Sequence, residues 1–274
     1  MKKKPLILIK YGGNAMLSER LKQSVVQNIW KLWSKGYRIV LVHGGGPFIK
    51  KMLELVKIES EFIEGHRKTP AEALKYIEMA LKGEVNGSLV SLLNKSGLKA
   101  VGLSGKDGRM ALARKRYHVT VQNGKEVQYD LGQVGDVEQV DTTLLHTLLE
   151  NGYLPVVACI ASDEAGNDYN INADMFAGSL AGALKANHYL VLTDVDGLLR
   201  DIDDSSSIIR KLRLEELKPL LGSVIKGGMI PKMESCELAL RQGARSACII
   251  NGTKPESIFE AVNTEKTIGT EICL

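Results

Sequence analysis

The chain has 274 residues, with 36 Lys and Arg against 32 Asp and Glu, 44% hydrophobic residues and only 5% aromatic ones. That length holds one large domain or two modest ones around a continuous core, and a net charge of +4 with the signs interspersed excludes a nucleic-acid stripe and a polybasic membrane anchor. The 27 glycines, about 10% of the chain against a usual ~7%, follow no three-residue period, which excludes collagen and points to many close backbone turns.

The first apolar run, residues 6–9, reads as a strand. The basic start before it mimics a signal peptide, but its apolar stretch stops after five residues, short of the ~7–15 required. The strand runs into Lys10, followed by Gly12 and Gly13. In open α/β sheets ligands bind beyond the carboxyl ends of the strands, so Lys10 places a charge in that crevice. Two glycines there let backbone N–H groups approach an anion without a Cβ in the way. Helical periodicity over 18–35 and a strand over 38–42 lead to His43-Gly44-Gly45-Gly46-Pro47, three glycines and a proline that open a helix over 47–56. Such a helix start binds phosphate or carboxylate. Its glycines lack the G-x-G-x-x-G spacing of a dinucleotide site, and no phosphate-binding P-loop occurs. Arg67 is a candidate bidentate clamp for a carboxylate.

Helices over 70–81 and 85–96 and a strand over 100–103 follow. The basic run Arg114-Lys115-Arg116 reads as a solvated strand or loop. Over residues 117–130, two β-rich runs flank Asn123-Gly124, the dipeptide of a type I′ turn, and predict an antiparallel hairpin insertion. A helix over 141–151 and a strand over 154–160 come next; the longest apolar run, 154–161, is too short to span a bilayer. In Asn170-Ile-Asn172-Ala-Asp174, Asn172 is the expected N-cap of a helix over 172–186 and Asp174 its first-turn acid, while Asn170 adds an amide able to hold a carboxylate or amide group. A strand over 189–193 ends at Thr193-Asp194-Val-Asp-Gly197-Leu198, a polar strand end of the kind that meets a nucleotide. Gly227-Gly228-Met229 opens a helix over 229–242 with Lys232 in its first turn, against the positive end of the helix dipole. A cation there makes sense beside a bound anion. A strand over 246–250 continues the series.

Strands alternating with amphipathic helices predict a three-layer αβα sandwich with a mainly parallel central sheet and a β-hairpin insertion. No linker appears, so a division into lobes near residue 174 falls within one continuous sheet. Four separated cysteines without a C-x-x-C read as reduced thiols of a cytoplasmic protein, the five histidines form no local ligand set, and no nucleophile motif occurs.

Taken in order, Lys10-Tyr-Gly-Gly-Asn-Ala-Met16, Val42-His-Gly-Gly-Gly-Pro47, Gly102-Leu-Ser-Gly-Lys-Asp-Gly108, Tyr169-Asn-Ile-Asn-Ala-Asp174, Leu192-Thr-Asp-Val-Asp-Gly-Leu198, Gly227-Gly-Met-Ile-Pro-Lys232 and Ile268-Gly-Thr270 resemble the motifs of the amino acid kinase family. Within it they look like those of the members that phosphorylate an acylated glutamate. The resemblance implies that residues 1–174 bind the acyl amino acid and dimerise while residues 175–274 bind ATP. It implies transfer of the γ-phosphoryl to the side-chain carboxylate of N-acetyl-L-glutamate, in arginine biosynthesis. By the same resemblance Lys10 and Lys232 stabilise the transferring group and Asp174 holds them. Gly45, Gly46, Arg67 and Asn170 would bind the acyl amino acid. Gly12 and Gly13 would meet phosphates, and Thr193, Asp194, Gly197, Leu198, Gly228 and Met229 would surround the nucleotide. Mg²⁺ would ride on the phosphates without a protein metal ligand. The expected assembly is a homodimer acting on small molecules, with no nucleic-acid or membrane partner.

The residue inventory suits this chemistry. A carboxylate acceptor, with a solution pKa near ~4.3, is ionised at neutral pH and needs no general base. The obstacle is repulsion between acceptor and donor, about 4 kcal/mol per pair of unit charges at ~4 Å and an effective dielectric of ~20. Two lysines, Mg²⁺ and glycine-lined helix ends oppose it. His66 stands where the family usually has an apolar residue, which leaves N-succinylglutamate or a carrier-bound aminoadipate open as acceptor. A non-catalytic sensor of nucleotide or amino acid is the alternative from another class. Arginine-inhibited members usually carry a helical extension before the first strand, whereas only five residues precede it here, so arginine insensitivity is expected.

Overall fold

A computed structural model describes residues 4–63, 66–122, 125–201, 203–264 and 267–274. Eight strands form the main sheet: β1 (Leu6–Tyr11), β2 (Arg38–His43), β3 (Ala100–Ser104), β4 (Leu154–Ala158), β5 (His188–Thr193), β6 (Lys211–Arg213), β7 (Ala247–Asn251) and β8 (Thr270–Cys273). Their order is β6-β8-β7-β5-β1-β2-β4-β3. The six from β7 to β3 are parallel, β8 runs antiparallel to β7, and β6 is parallel to β8.

Residues of β1 and β2 alternate between two apolar layers. Leu6, Leu8, Val40 and Val42 enter one layer, and Ile7, Ile9, Ile39 and Leu41 enter the other. A strand with both faces covered reads as an unbroken apolar run, and β1 is buried at all six positions. One layer contains the helices Gly46–Leu55, Thr143–Glu150, Ala173–Ala183 and Met229–Arg241; the other contains Glu19–Ser34 and Ser257–Asn263. The αβα sandwich is therefore the observed architecture.

Three departures from the sequence pattern shape the site. First, the helices expected over 70–81 and 85–96 are one helical run, Ala71–Lys95, wound as a wider π-type helix from Met79 to Asn86. The run crosses the β3 edge of the sheet, placing Leu81 in one layer and Val85 and Leu89 in the other. Second, the segment expected as one strand over 154–160 breaks at Cys159, and Ile160–Ser162 leaves the main sheet. It joins Asp168–Ile171 and the long hairpin strands Ala111–Gln122 and Lys125–Val140 in a small closed four-stranded barrel. The hairpin is thus part of a larger insertion than its turn signal implies; the Asn123-Gly124 turn itself lies outside the described residues. Arg114-Lys115-Arg116 lies on its first strand, where Lys115 and Arg116 pair with Asp130 and Asp136 at 2.8 Å each. Third, β6 and β8, of three and four residues, carry no apolar run and were not expected.

Candidate active site

The carboxyl ends of β1, β2 and β5 open into one crevice. The register aligns Lys10 with Val42 on one side and Val191 on the other, so β1 delivers its lysine at the middle of the sheet. The Lys10 ammonium bends back over the following turn: a Cβ on Gly12 would lie 2.9 Å from Lys10 Nζ. Beside it, the Gly44 N–H donates to Tyr11 O at 3.1 Å, tying the glycine loop after β2 to the end of β1. Gly45 precedes helix Gly46–Leu55 without a side-chain cap, leaving the N–H groups of the first turn for a ligand. A side chain at Gly45 would collide with Leu81 and Val85, so the π-wound run presses directly on this loop.

Asp174 comes from the opposite wall. Asn172 caps helix Ala173–Ala183 by accepting from the N–H groups of Asp174 and Met175 at 2.9 and 3.2 Å, which aims the Asp174 carboxylate into the crevice. Its Oδ1 lies 2.8 Å from Lys10 Nζ, within ion-pair distance but without a well-directed hydrogen bond. Its Oδ2 accepts from Lys232 Nζ at 3.2 Å. Lys10 and Asp174 are each only 6% exposed, and a buried charge persists only where it is paired. Burial pushes the Asp174 carboxyl up, but the charges of Lys10 and Lys232 outweigh it and hold its pKa below the ordinary value. The Lys232 ammonium is pushed below its ordinary pKa, first by burial and then by repulsion from Lys10, with Asp174 opposing both. One carboxylate thus holds two cations.

A cavity of about 270 Å³ gathers Lys10, Gly12, Gly13, Gly45, Gly46, Arg67, Asn170 and Asp174 from separate parts of the chain. Arg67 stacks its guanidinium 4.5 Å from the ring centre of Phe62, also in the wall, and donates to Ser60 Oγ. Asn170 stands on the barrel strand Asp168–Ile171, with its amide 3.4 Å from Thr69 Oγ1. A second cavity of about 420 Å³ gathers Gly197, Leu198 and Met229 with Val195, Lys226 and Ser223. Here Gly197 adopts φ +145° and its Cα faces Thr270 Oγ1, which accepts from the Leu198 N–H at 2.8 Å, giving Ile268-Gly-Thr270 a structural task. Thr193 ends β5 with its hydroxyl on Asp194 Oδ1 at 3.3 Å, and Gly228 precedes helix Met229–Arg241. Neither cavity is lined by Thr193, Asp194, Gly228 or Lys232; Lys232 reaches the first one through Asp174.

Sequence reasoning missed the groups behind these walls. His43 is fully buried, with Nδ1 2.9 Å from Gly44 O and Nε2 2.9 Å from Asn86 Nδ2. Asn86 Nδ2 also donates to Val156 O at 2.9 Å, so the π-wound run reaches across to the glycine loop through a buried polar pair. Burial pushes His43 down to about 4, against the Gly44 bond and with help from Lys82, and the ring is neutral. The position of His43 just before three glycines is a signal for this role; nothing in the sequence around Asn86 marks it. Lys106 and Asp107, unassigned within Gly102–Gly108, pair with Glu78 and Asp168 and with Lys82, which fastens that loop to the helical run and to the strand of Asn170. Cys159 lines the first cavity, but burial pushes its thiol up to about 12, leaving it a poor nucleophile. All four cysteines are free thiols.

The profile described as the amino acid kinase family matches residues 5–251, nearly the whole chain. The chain belongs to the amino acid kinase family. This amino acid kinase family member is 47% identical over 269 residues to a protein of Methanocaldococcus jannaschii named acetylglutamate kinase, covering 97% of this chain and 90% of that one. It is 43% identical to an acetylglutamate kinase of Archaeoglobus fulgidus, covering 97% and 92%. Its fold superposes on the carbamate kinase of Giardia lamblia bound to AMP-PNP with a TM-score of 0.70 at 17% identity, over 100% of this chain and 99% of the other. That likeness concerns the family fold alone.

Proposed function

We propose that this protein transfers the γ-phosphoryl group of ATP to the side-chain carboxylate of N-acetyl-L-glutamate, giving N-acetyl-L-glutamyl 5-phosphate and ADP, in arginine biosynthesis. The observation that carries the reading is the Lys10–Asp174–Lys232 centre, whose Lys10 and Asp174 are buried in the wall of a glycine-lined cavity. Relatives at 47% and 43% identity named for this activity support it. The acceptor would occupy the first cavity, held by Arg67, Asn170 and the N–H groups of Gly45 and Gly46. The nucleotide would extend from Gly12 and Gly13 into the second cavity, along Thr193, Asp194, Gly197, Leu198, Gly228 and Met229. Apart from Gly12 and Gly13, residues 1–174 would then serve the acceptor and residues 175–274 the nucleotide.

The acceptor carboxylate attacks the γ-phosphorus and the bond to the β,γ-bridging oxygen breaks, leaving on ADP. No proton has to leave the acceptor. In this reading Lys10 and Lys232 lower the repulsion between two anions and meet the charge on the transferring group, while Asp174 keeps the two ammonium groups together in the absence of substrate. Mg²⁺ enters with ATP as part of the substrate. Among the described residues no three His, Cys, Asp or Glu side chains converge to hold a metal. A cytoplasmic homodimer belongs to the same proposal, and among the described residues no helix is long and apolar enough to cross a membrane.

The test is an acceptor panel with ATP and Mg²⁺, with acyl phosphate trapped as the hydroxamate. N-acetylglutamate is expected to give product and N-acetylaspartate none; turnover of another acceptor with none of N-acetylglutamate overturns the substrate. Light scattering is expected to give twice the chain mass.

A further inference from the structure

The charged centre depends on two helices meeting at a fixed offset, since Asp174 opens Ala173–Ala183 and Lys232 lies in the first turn of Met229–Arg241. These helices touch backbone to backbone. A Cβ on Gly178 would lie 2.6 Å from Ser235 O and 3.1 Å from its Cα, and one on Gly182 would collide with Gln242. Smooth contact between small residues brings helices close but does little to stop one from sliding along the other. Directional bonds are needed to fix the register.

Two buried hydroxyls supply them. Tyr189, on β5 between the helix starts, is fully buried, and its hydroxyl donates to Asp174 O at 3.2 Å. The same hydroxyl lies 3.1 Å from Ser235 Oγ, whose single proton goes either to it or to Lys232 O, 2.7 Å away in the same helix. With Ser235 donating to Tyr189, a directed path runs from Ser235, on the helix of Lys232, through Tyr189 to the Asp174 carbonyl. Burial pushes the Tyr189 phenol well above its ordinary pKa, so it remains a donor at any working pH. Neither Tyr189 nor Ser235 lines either cavity.

We propose that Tyr189 and Ser235 are positioning residues for phosphoryl transfer, a brace that locks the two helix starts in register and so holds Asp174 against Lys232. The inference rests on the proposed function of that centre. Buried hydroxyls also satisfy each other for stability alone, so the test needs readouts that a packing role leaves unchanged.

Tyr189→Phe and Ser235→Ala each remove one hydroxyl and keep the surrounding volume. In the full chain, each is expected to lower kcat with N-acetylglutamate about tenfold while KM for both substrates stays within about twofold, and the double variant is expected to be little worse than the poorer single one. A second readout needs no substrate. Competitive acetylation with acetic anhydride, followed by mass spectrometry, is expected to label Lys232 several-fold faster relative to exposed Lys57 in both variants than in the parent protein. Melting temperatures that fall while kcat and Lys232 labelling stay at parental values overturn the brace. A parent protein inert toward N-acetylglutamate, but whose Lys232 labelling rises in both variants, contradicts the proposed substrate and supports the brace.

Discussion

Lys232 is half-buried beside a second cation, and its partial burial together with Lys10 lowers its pKa. The proposed role requires the charged form, so kcat/KM for ATP, which reports the free protein, is expected to fall as pH rises through that lowered pKa. An alkaline limb unchanged in Lys232→Arg would contradict the assignment, because a guanidinium does not titrate there. Truncation is the blunter probe: Lys232→Ala is expected to lower kcat by about 10²–10³-fold with a much smaller change in ATP affinity, the pattern of a group used mainly in the transition state. Gly12 offers a subtler one. An added Cβ meets only the flexible end of Lys10, so Gly12→Ala is expected to leave the melting temperature within about 3 °C of the parent while kcat drops, because the ammonium must move. Equal losses of stability and turnover would place the effect in the backbone instead.

At the scale of elements, the His43–Asn86 pair joins the π-wound helical run to the glycine loop, and its protonation carries a stability cost. His43 titrates near 4 in the folded chain and near 6.5 when unfolded, so the unfolded state takes up the proton first as pH falls. The contribution is complete above pH ~6.5 and is lost between there and pH ~4, about 3 kcal/mol in all. His188, also lowered by burial, adds in the same direction. Chemical denaturation across this range is expected to show a shallower pH dependence in His43→Gln than in the parent; identical slopes would mean that folding leaves the His43 pKa unshifted. The two helices behind the charged centre give a second element-level prediction. Gly178→Ala drives a Cβ into the Ser235 backbone, which cannot turn away, and is expected to cost about 1–3 kcal/mol where an exposed Gly→Ala exchange in a helix would stabilise.

For the whole molecule, what could be read in the sequence divides along physical lines. Strands β1, β2 and β5 announce themselves because both faces are buried, and Lys10, Asn172 and Asp174 are legible because each sits where a strand end or a helix cap dictates its direction. The ordered glycine motifs mark the crevice for the same reason. The π-wound run could not be read, since local periodicity supports two separate helices and only the packing of Leu81 and Val85 on Gly45, with the bonds of Asn86, accounts for the continuous one. Nor could the break at Cys159, where an apolar run is shared between two sheets. Short β6 and β8 depend on their neighbours rather than on their own residues. The pairing of Lys10 and Lys232 through one carboxylate is a property of the assembled sheet, for 222 positions separate the two lysines and no local pattern links them.

Phosphoryl transfer to a carboxylate by the assembled triad is tested by ³¹P NMR of ATP, Mg²⁺ and N-acetylglutamate with the parent protein and with Asp174→Asn. The parent is expected to produce an acyl-phosphate resonance in step with ADP, and Asp174→Asn, folded by its melting curve, to slow that appearance by about 10² or more. An Asp174→Asn protein that forms acyl phosphate at the parental rate would contradict the proposed role of the triad.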